Sequence, residues 1–225
     1  MIKKITCCFA AIFFAAFLGI LIYVPFVYNT SAAELNFDYR IVIDAGHGYP
    51  DGGASGVFSG VKESDINLSI AQILAKLCKQ RRIEPVLTRN SQNTLASKGK
   101  NLKKRDMEKR RDIIKKTAPD LIVSIHLNTF SDRSRSGAQV FFDKNNKEGL
   151  LLASCVQSSL NTINERKYIH LRGDYYILNC TSYAAIIVEC GFLSNPDEEK
   201  TLQTAEYQTL LAEKILEGIV LYLLK

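Results

Sequence analysis

The 225-residue sequence is poor in histidine, with three residues in all, and no two of its cysteines stand in C-x-x-C spacing. The missing cysteine pairs remove the usual signature of a Cys-held metal or redox site. Beyond residue 33 the cysteines are Cys78, Cys155, Cys180 and Cys190, each in or beside an apolar stretch. They are expected as free buried thiols, a bridge between two of them being the alternative in an exported chain. No G-K-[ST] follows the glycine-rich window IVIDAGHGYPDGGASG, Ile41 to Gly56, and Asp51 stands where a dinucleotide loop has its third glycine. An acid there would repel phosphate, so both nucleotide readings fail. Repeats, low-complexity segments and a leftover second domain are also absent. Acid is missing before Glu34, and residues 1–33 carry two lysines, so the net charge of +6 falls to +4 without them. That excess suits an anionic matrix such as cell wall and is too weak for nucleic-acid binding.

What is present begins with Met1-Ile2-Lys3-Lys4 and an uncharged apolar run from Ile5 to about Val24. A basic start before an apolar run is an export signal. The run nearly suffices to span a bilayer, while Ser31-Ala32-Ala33 offers a cleavage site. Residues 1–33 are therefore expected to be a signal peptide or a membrane anchor, touching the membrane only if uncleaved. Cys7 and Cys8 precede the run and do not resemble a lipidation cysteine. Residues 34–225 are expected as a single domain outside the cytoplasm; apolar residues at 47% and charged residues at 23% give the chain a globular balance.

Short apolar, β-branched or aromatic runs predict strands at Ile41–Ile43, Pro85–Thr88, Leu121–Ile125, Ala138–Phe142, Tyr175–Leu178 and Ala184–Glu189. Helical spacing joins Ile66, Ile70, Ile73, Leu74 and Leu77. Further helices are predicted over Leu102–Lys116, ending before Pro119, over Glu148–Ile163, and over Ala205–Leu224. The basic run Lys98–Lys116 reads as a solvated helix face. Strand–helix alternation implies an α/β fold, a mostly parallel sheet with helices on both faces.

Five glycines around His47 need a reason, because glycine destabilises unless the backbone requires unusual angles or close approach. His126 ends the apolar strand VSIHLN, where α/β folds collect ligand sites. His47 follows the first strand at the same edge. Glu63 stands at or near the start of the first helix, and Glu189 closes the apolar strand AAIIVE. Separately, His126 reads as a core histidine and Glu63 as an acid favoured by the helix dipole. Glu189 is harder to dismiss, since an acid ending an apolar strand needs a partner. Two imidazoles and a carboxylate are the ligand set of several catalytic zinc sites, and a further carboxylate can serve as general base. His170, in an irregular polar stretch, reads as surface.

The segments DAGHGYPDGGASG, KESDINL, VLTRN, LIVSIHLN and IIVECGFLSNPDEEK resemble, in order, those of the zinc-dependent N-acetylmuramoyl-L-alanine amidases of bacterial cell-wall metabolism. The resemblance spans nearly all of residues 39–225. It implies a twisted six-stranded sheet flanked by helices, and a zinc amidase catalytic domain over residues 34–225. By position it places the metal ligands on His47, Glu63 and His126 and the catalytic glutamate on Glu189. The substrate implied is the amide between N-acetylmuramic acid and L-alanine of peptidoglycan. Ala45 and Tyr49 stand where the family has proline and glycine, and Asn179 where a basic residue is common. One catalytic domain without wall-binding repeats resembles the sporulation amidases, which prepare muramic-δ-lactam in spore cortex, and implies a possible accessory protein partner. The alternatives are another zinc peptidase acting on wall peptides, or a wall-binding relative with weak catalysis.

Overall fold

In the computed structural model, β1 (Tyr39–Ala45), β2 (Ile83–Leu87), β3 (Leu121–Asn128), β4 (Gln139–Phe142), β5 (Leu171–Arg172) and β6 (Ala184–Phe192) form one sheet, ordered β2-β1-β3-β6-β4-β5. The structure describes residues 39–225, so the expected export segment lies outside the described residues. Within them no helix is long and apolar enough to cross a membrane. All pairings are parallel except β4 with β6.

Alternation along each central strand sorts its residues between two cores. Ile41, Ile43 and Ala45 of β1, Leu121, Val123 and Ile125 of β3, and Ile186, Val188 and Cys190 of β6 enter the larger core. It is covered by α1 (Glu63–Gln80), α3 (Lys147–Leu160) and α6 (Ala205–Leu223), through residues such as Leu74, Val156 and Ile215. Val42, Ile122 and Ile187 face the other way, into a smaller core closed by Ile114 of α2 (Leu102–Thr117) and by Ile177 and Leu178 of α4 (Tyr176–Asn179). Helices therefore cover both faces, as expected, but unequally. The smaller core is where the strands continue into polar residues.

Two elements differ from expectation. Tyr175–Leu178 is not a strand: Tyr176–Asn179 is the short helix α4, and its place at the sheet edge is taken by Leu171–Arg172, paired with β4 through Phe141 and Phe142. A four-residue apolar run has too little period to distinguish a strand from one helical turn, and burial of Ile177 and Leu178 under α2 decides it. The other is α5 (Pro196–Leu202), not anticipated although its start carries three signals. Asn195 caps the amides of Asp197 and Glu198, Pro196 occupies the first turn, and three acids follow. Cys78, Cys155, Cys180 and Cys190 are all free thiols, and all but Cys180 are buried.

Candidate metal centre

Parity and register bring the polar strand ends together. Asp44, Ser124, His126 and Glu189 occupy positions of the same parity as Val42, Ile122 and Ile187, so they continue the face of the smaller core. In the parallel pairing of β3 with β6, His126 stands directly opposite Glu189, and the register shifts immediately beyond, between His126 and Asn128. Such irregularities re-aim side chains beside functional sites.

His47 follows β1 in a left-handed conformation, φ 61°, that a non-glycine residue adopts only when held there. Arg110 donates from Nη2 to its carbonyl oxygen at 2.5 Å, and its ring Nδ1 lies 3.0 Å from Asp51 Oδ2. Glu63 is the first residue of α1, and its carboxylate points back over the sheet edge. Its Oε2 accepts the Ala54 amide at 2.8 Å; its Oε1 accepts the Leu127 amide at 3.1 Å and Asn67 Nδ2 at 3.2 Å. The same Oε1 lies 2.9 Å from His126 Nδ1 and 3.3 Å from His47 Nε2. The two rings meet edge to face at 5.0 Å.

Among the described residues, His47, Glu63 and His126 form the one group whose ligand atoms lie close enough to hold a metal ion, all within 4.8 Å of one another. The glycines make room for it. A Cβ on Gly46 would collide with the His126 ring, and one on Gly53 would lie 2.5 Å from Glu63 Oε2. Two imidazoles and a buried carboxylate suit zinc or a similar first-row divalent ion. Glu189 Oε2 is sealed from solvent and has no hydrogen-bond partner, an orphaned polar atom in the same cavity as those three side chains. A cation there would satisfy it electrostatically.

The electrostatics separate the two glutamates. Burial alone would raise the Glu63 carboxyl, but hydrogen bonds and charge from His126 and His47 outweigh it and hold the group ionised. Glu189 has no such bonds. Burial, reinforced by the Glu63 charge, raises it to about 7 against the pull of the two histidines. His47 is raised in turn, the bonds to Glu63 and Asp51 overcoming burial.

A cavity of about 350 Å³ opens over the centre, with His47, His126 and Glu189 on one side and Lys103, Tyr175 and Tyr176 among its other walls. Beneath it lies a charged network that sequence reasoning did not find. Asp44 accepts from Ser124 Oγ at 2.6 Å, Thr88 Oγ1 at 2.7 Å and Arg110 Nη1 at 2.6 Å. Arg110 also donates to Ala45 O and, through Nε, to Asp106 Oδ2 at 2.8 Å. Arg89 clamps the first loop by donating to the carbonyls of Ala45, Gly46 and Ser64. The solvated-face reading of Lys98–Lys116 is thus corrected in part: its lysines are exposed, but Asp106 and Arg110, four apart on one helix face, are buried. The signal that singled out Glu189, an acid in an apolar strand, applied equally to Asp44. His170 does not join the centre; it is half-buried and packs edge-on against Phe142.

The chain is similar in sequence and fold to known proteins. The family model described as N-acetylmuramoyl-L-alanine amidase matches residues 41–220. The germination-specific N-acetylmuramoyl-L-alanine amidase of Bacillus subtilis is 35% identical over 191 residues, which cover 81% of this chain and 78% of that one. The structure of the CwlD amidase from Clostridioides difficile, solved in complex with the GerS lipoprotein, matches with a TM-score of 0.77 at 33% identity, covering 83% of this chain and 98% of that one. The catalytic domain of CwlV, an N-acetylmuramoyl-L-alanine amidase from Bacillus (Paenibacillus) polymyxa, matches with a TM-score of 0.73 at 27% identity, covering 82% and 98%. A family match over most of the domain, a one-third-identical relative and a shared fold agree, and the chain belongs to the N-acetylmuramoyl-L-alanine amidases, enzymes of peptidoglycan hydrolysis.

Proposed function

We propose that this amidase holds zinc on His47, Glu63 and His126 and uses Glu189 to move the proton in hydrolysis of the amide between N-acetylmuramic acid and L-alanine. The observation that carries this reading is the unpartnered Glu189 Oε2, on the residue paired in register with His126. Zinc, when bound, supplies a Lewis acid that polarises the amide carbonyl and acidifies water. Glu189 Oε2 has no hydrogen-bond partner to hold it in one state, so the carboxylate is free to accept and release a proton. It accepts one proton from the attacking water and delivers one to the departing alanine nitrogen, without which the amine is a poor leaving group. Glu63 already accepts from two amides and Asn67 and gives its remaining lone pair to the metal in this reading, so the proton task falls to Glu189. Asp51 fixes the His47 ring, and Arg110 the backbone that carries it.

The likeness to a germination-specific amidase supports a role in spore-cortex maturation, where stem-peptide removal precedes formation of muramic-δ-lactam. The same likeness supports work outside the cytoplasm, which on the spore-cortex reading means the space between the forespore membranes. The CwlD structure holds a lipoprotein, which supports an accessory protein partner here as well. The test is Glu189→Gln, with zinc content and stem-peptide release from peptidoglycan measured together. Turnover should fall ~100- to 10,000-fold with zinc retained. Loss of zinc would make Glu189 a ligand, and undiminished release would move the base elsewhere; either result ends the assignment.

A further inference from the structure

Asn67 lies one helical turn after Glu63 on α1, fully buried among Ile66, Ile70, Ala71 and Leu74. An asparagine there is disfavoured twice: it is a weaker helix former than alanine or leucine, and its amide must be desolvated. Its contacts show what is gained. Nδ2 donates to Gly46 O at 3.3 Å and to Glu63 Oε1 at 3.2 Å, one acceptor for each of its two hydrogens. Oδ1 is buried and has no partner. Exchanging the amide oxygen and nitrogen would turn the oxygen against two acceptors, so the two contacts fix the orientation. The donors, not the acceptor, account for this residue.

Both bonds converge on the metal centre from inside the protein. Among the described residues, Asn67 is the one side chain other than the two histidines bonded to the Glu63 carboxylate. The remaining bonds come from the backbone amides of Ala54 and Leu127. Gly46 precedes His47, and its own amide donates at 3.0 Å to the carbonyl of Ile125, which precedes His126. Asn67 therefore touches one candidate ligand and braces the peptide unit that joins the backbones of the other two. Arg89 shares the Gly46 carbonyl but makes no bond to Glu63.

Resting on the reading that Glu63 holds the metal, we propose that Asn67 is a positioning residue that fixes the Glu63 carboxylate against the His47 loop before the ion binds. A glutamate side chain left free must give up its rotamer freedom when it becomes a ligand. One already held loses less, and the saving appears as metal affinity.

The experiment measures zinc affinity of the full chain by competitive chelation, and Tm with and without zinc in excess. Asn67→Leu keeps the volume, excludes water and removes both donors. Asn67→Ala removes the same donors with the best helix former and serves if the leucine variant does not fold, as judged by circular dichroism. Neither acceptor is orphaned, since Gly46 O keeps Arg89 and Glu63 Oε1 keeps the Leu127 amide. The zinc-free variant should therefore melt close to wild type, while its zinc affinity falls ~10- to 100-fold. At equal zinc, a tenfold loss of affinity withdraws about 1.4 kcal/mol of zinc-linked stability, so the rise in Tm on adding zinc should shrink. Unchanged affinity would overturn the proposal. So would equal losses of Tm with and without zinc, or failure of both variants to fold, since these make Asn67 a residue of the core alone. Zinc binding that requires Glu63 but not Asn67 would end this inference only. If Glu63→Ala bound zinc as tightly as wild type, the ligand assignment itself would fall and take this inference with it.

Discussion

Arg110→Met is the perturbation whose outcome depends most fully on the tertiary structure. The arginine is 1% exposed and donates to two carboxylates, Asp44 and Asp106, and to two carbonyls, Ala45 and His47. Methionine approximates its volume but leaves both acids buried without their cation. Breaking a buried ion pair from one side costs ~3–5 kcal/mol. The lower end applies, because Asp44 keeps Ser124 and Thr88, and Asp106 keeps the Thr94 hydroxyl and the Leu95 amide. About 3 kcal/mol is a large part of a typical domain stability of ~5–15 kcal/mol and should lower Tm by roughly 6–12 °C. Urea denaturation at pH 7 reads the loss directly, and zinc affinity should weaken with it, since the His47 carbonyl loses its anchor. Adding Asp44→Asn should recover part of the loss, the two changes coupling in a double-mutant cycle. A loss below ~1 kcal/mol, or strictly additive changes, would mean the Asp44–Arg110–Asp106 network does not hold the loop.

Two further outcomes follow from the same geometry. Gly53→Ala places a Cβ 2.5 Å from Glu63 Oε2 and 2.7 Å from the His47 ring at a φ of +68°, so the variant should lose zinc affinity more than tenfold while circular dichroism shows the fold retained; wild-type affinity by competitive chelation would refute the crowding argument. Burial would raise Asp44, but Arg110, Ser124 and Thr88 together hold it at about 2. A carboxyl lowered in the folded state stabilises the fold above its ordinary pKa of ~3.9, and that contribution is lost as pH falls from about 4 towards 2. Denaturant midpoints across that window should drop in wild type and drop less in Arg110→Met, and parallel curves would show that Arg110 does not set the Asp44 pKa.

Sequence by itself determined the parts whose signal is local. Apolar runs ending in His126 and Glu189 marked two strand ends because a polar residue closing a buried strand has few explanations. Glu63 was legible as a helix start, and the glycines around His47 as a demand for space. The layered α/β fold followed from alternating periods of two and 3.6. Tertiary structure alone decided what depends on distant chain meeting. That His126 stands opposite Glu189 is a fact of register between strands 63 residues apart, and no pattern within either strand encodes it. The burial of Arg110 in a lysine-rich helix came from Asp44, 66 positions earlier, offering a carboxylate beneath it. The run at Tyr175–Leu178 became a helix because α2 left a cover to complete over the smaller core, a vacancy that exists only once the sheet has formed. Local sequence sets what each segment can be; long-range burial and charge pairing, whose energies arise only on contact, select which of those it becomes.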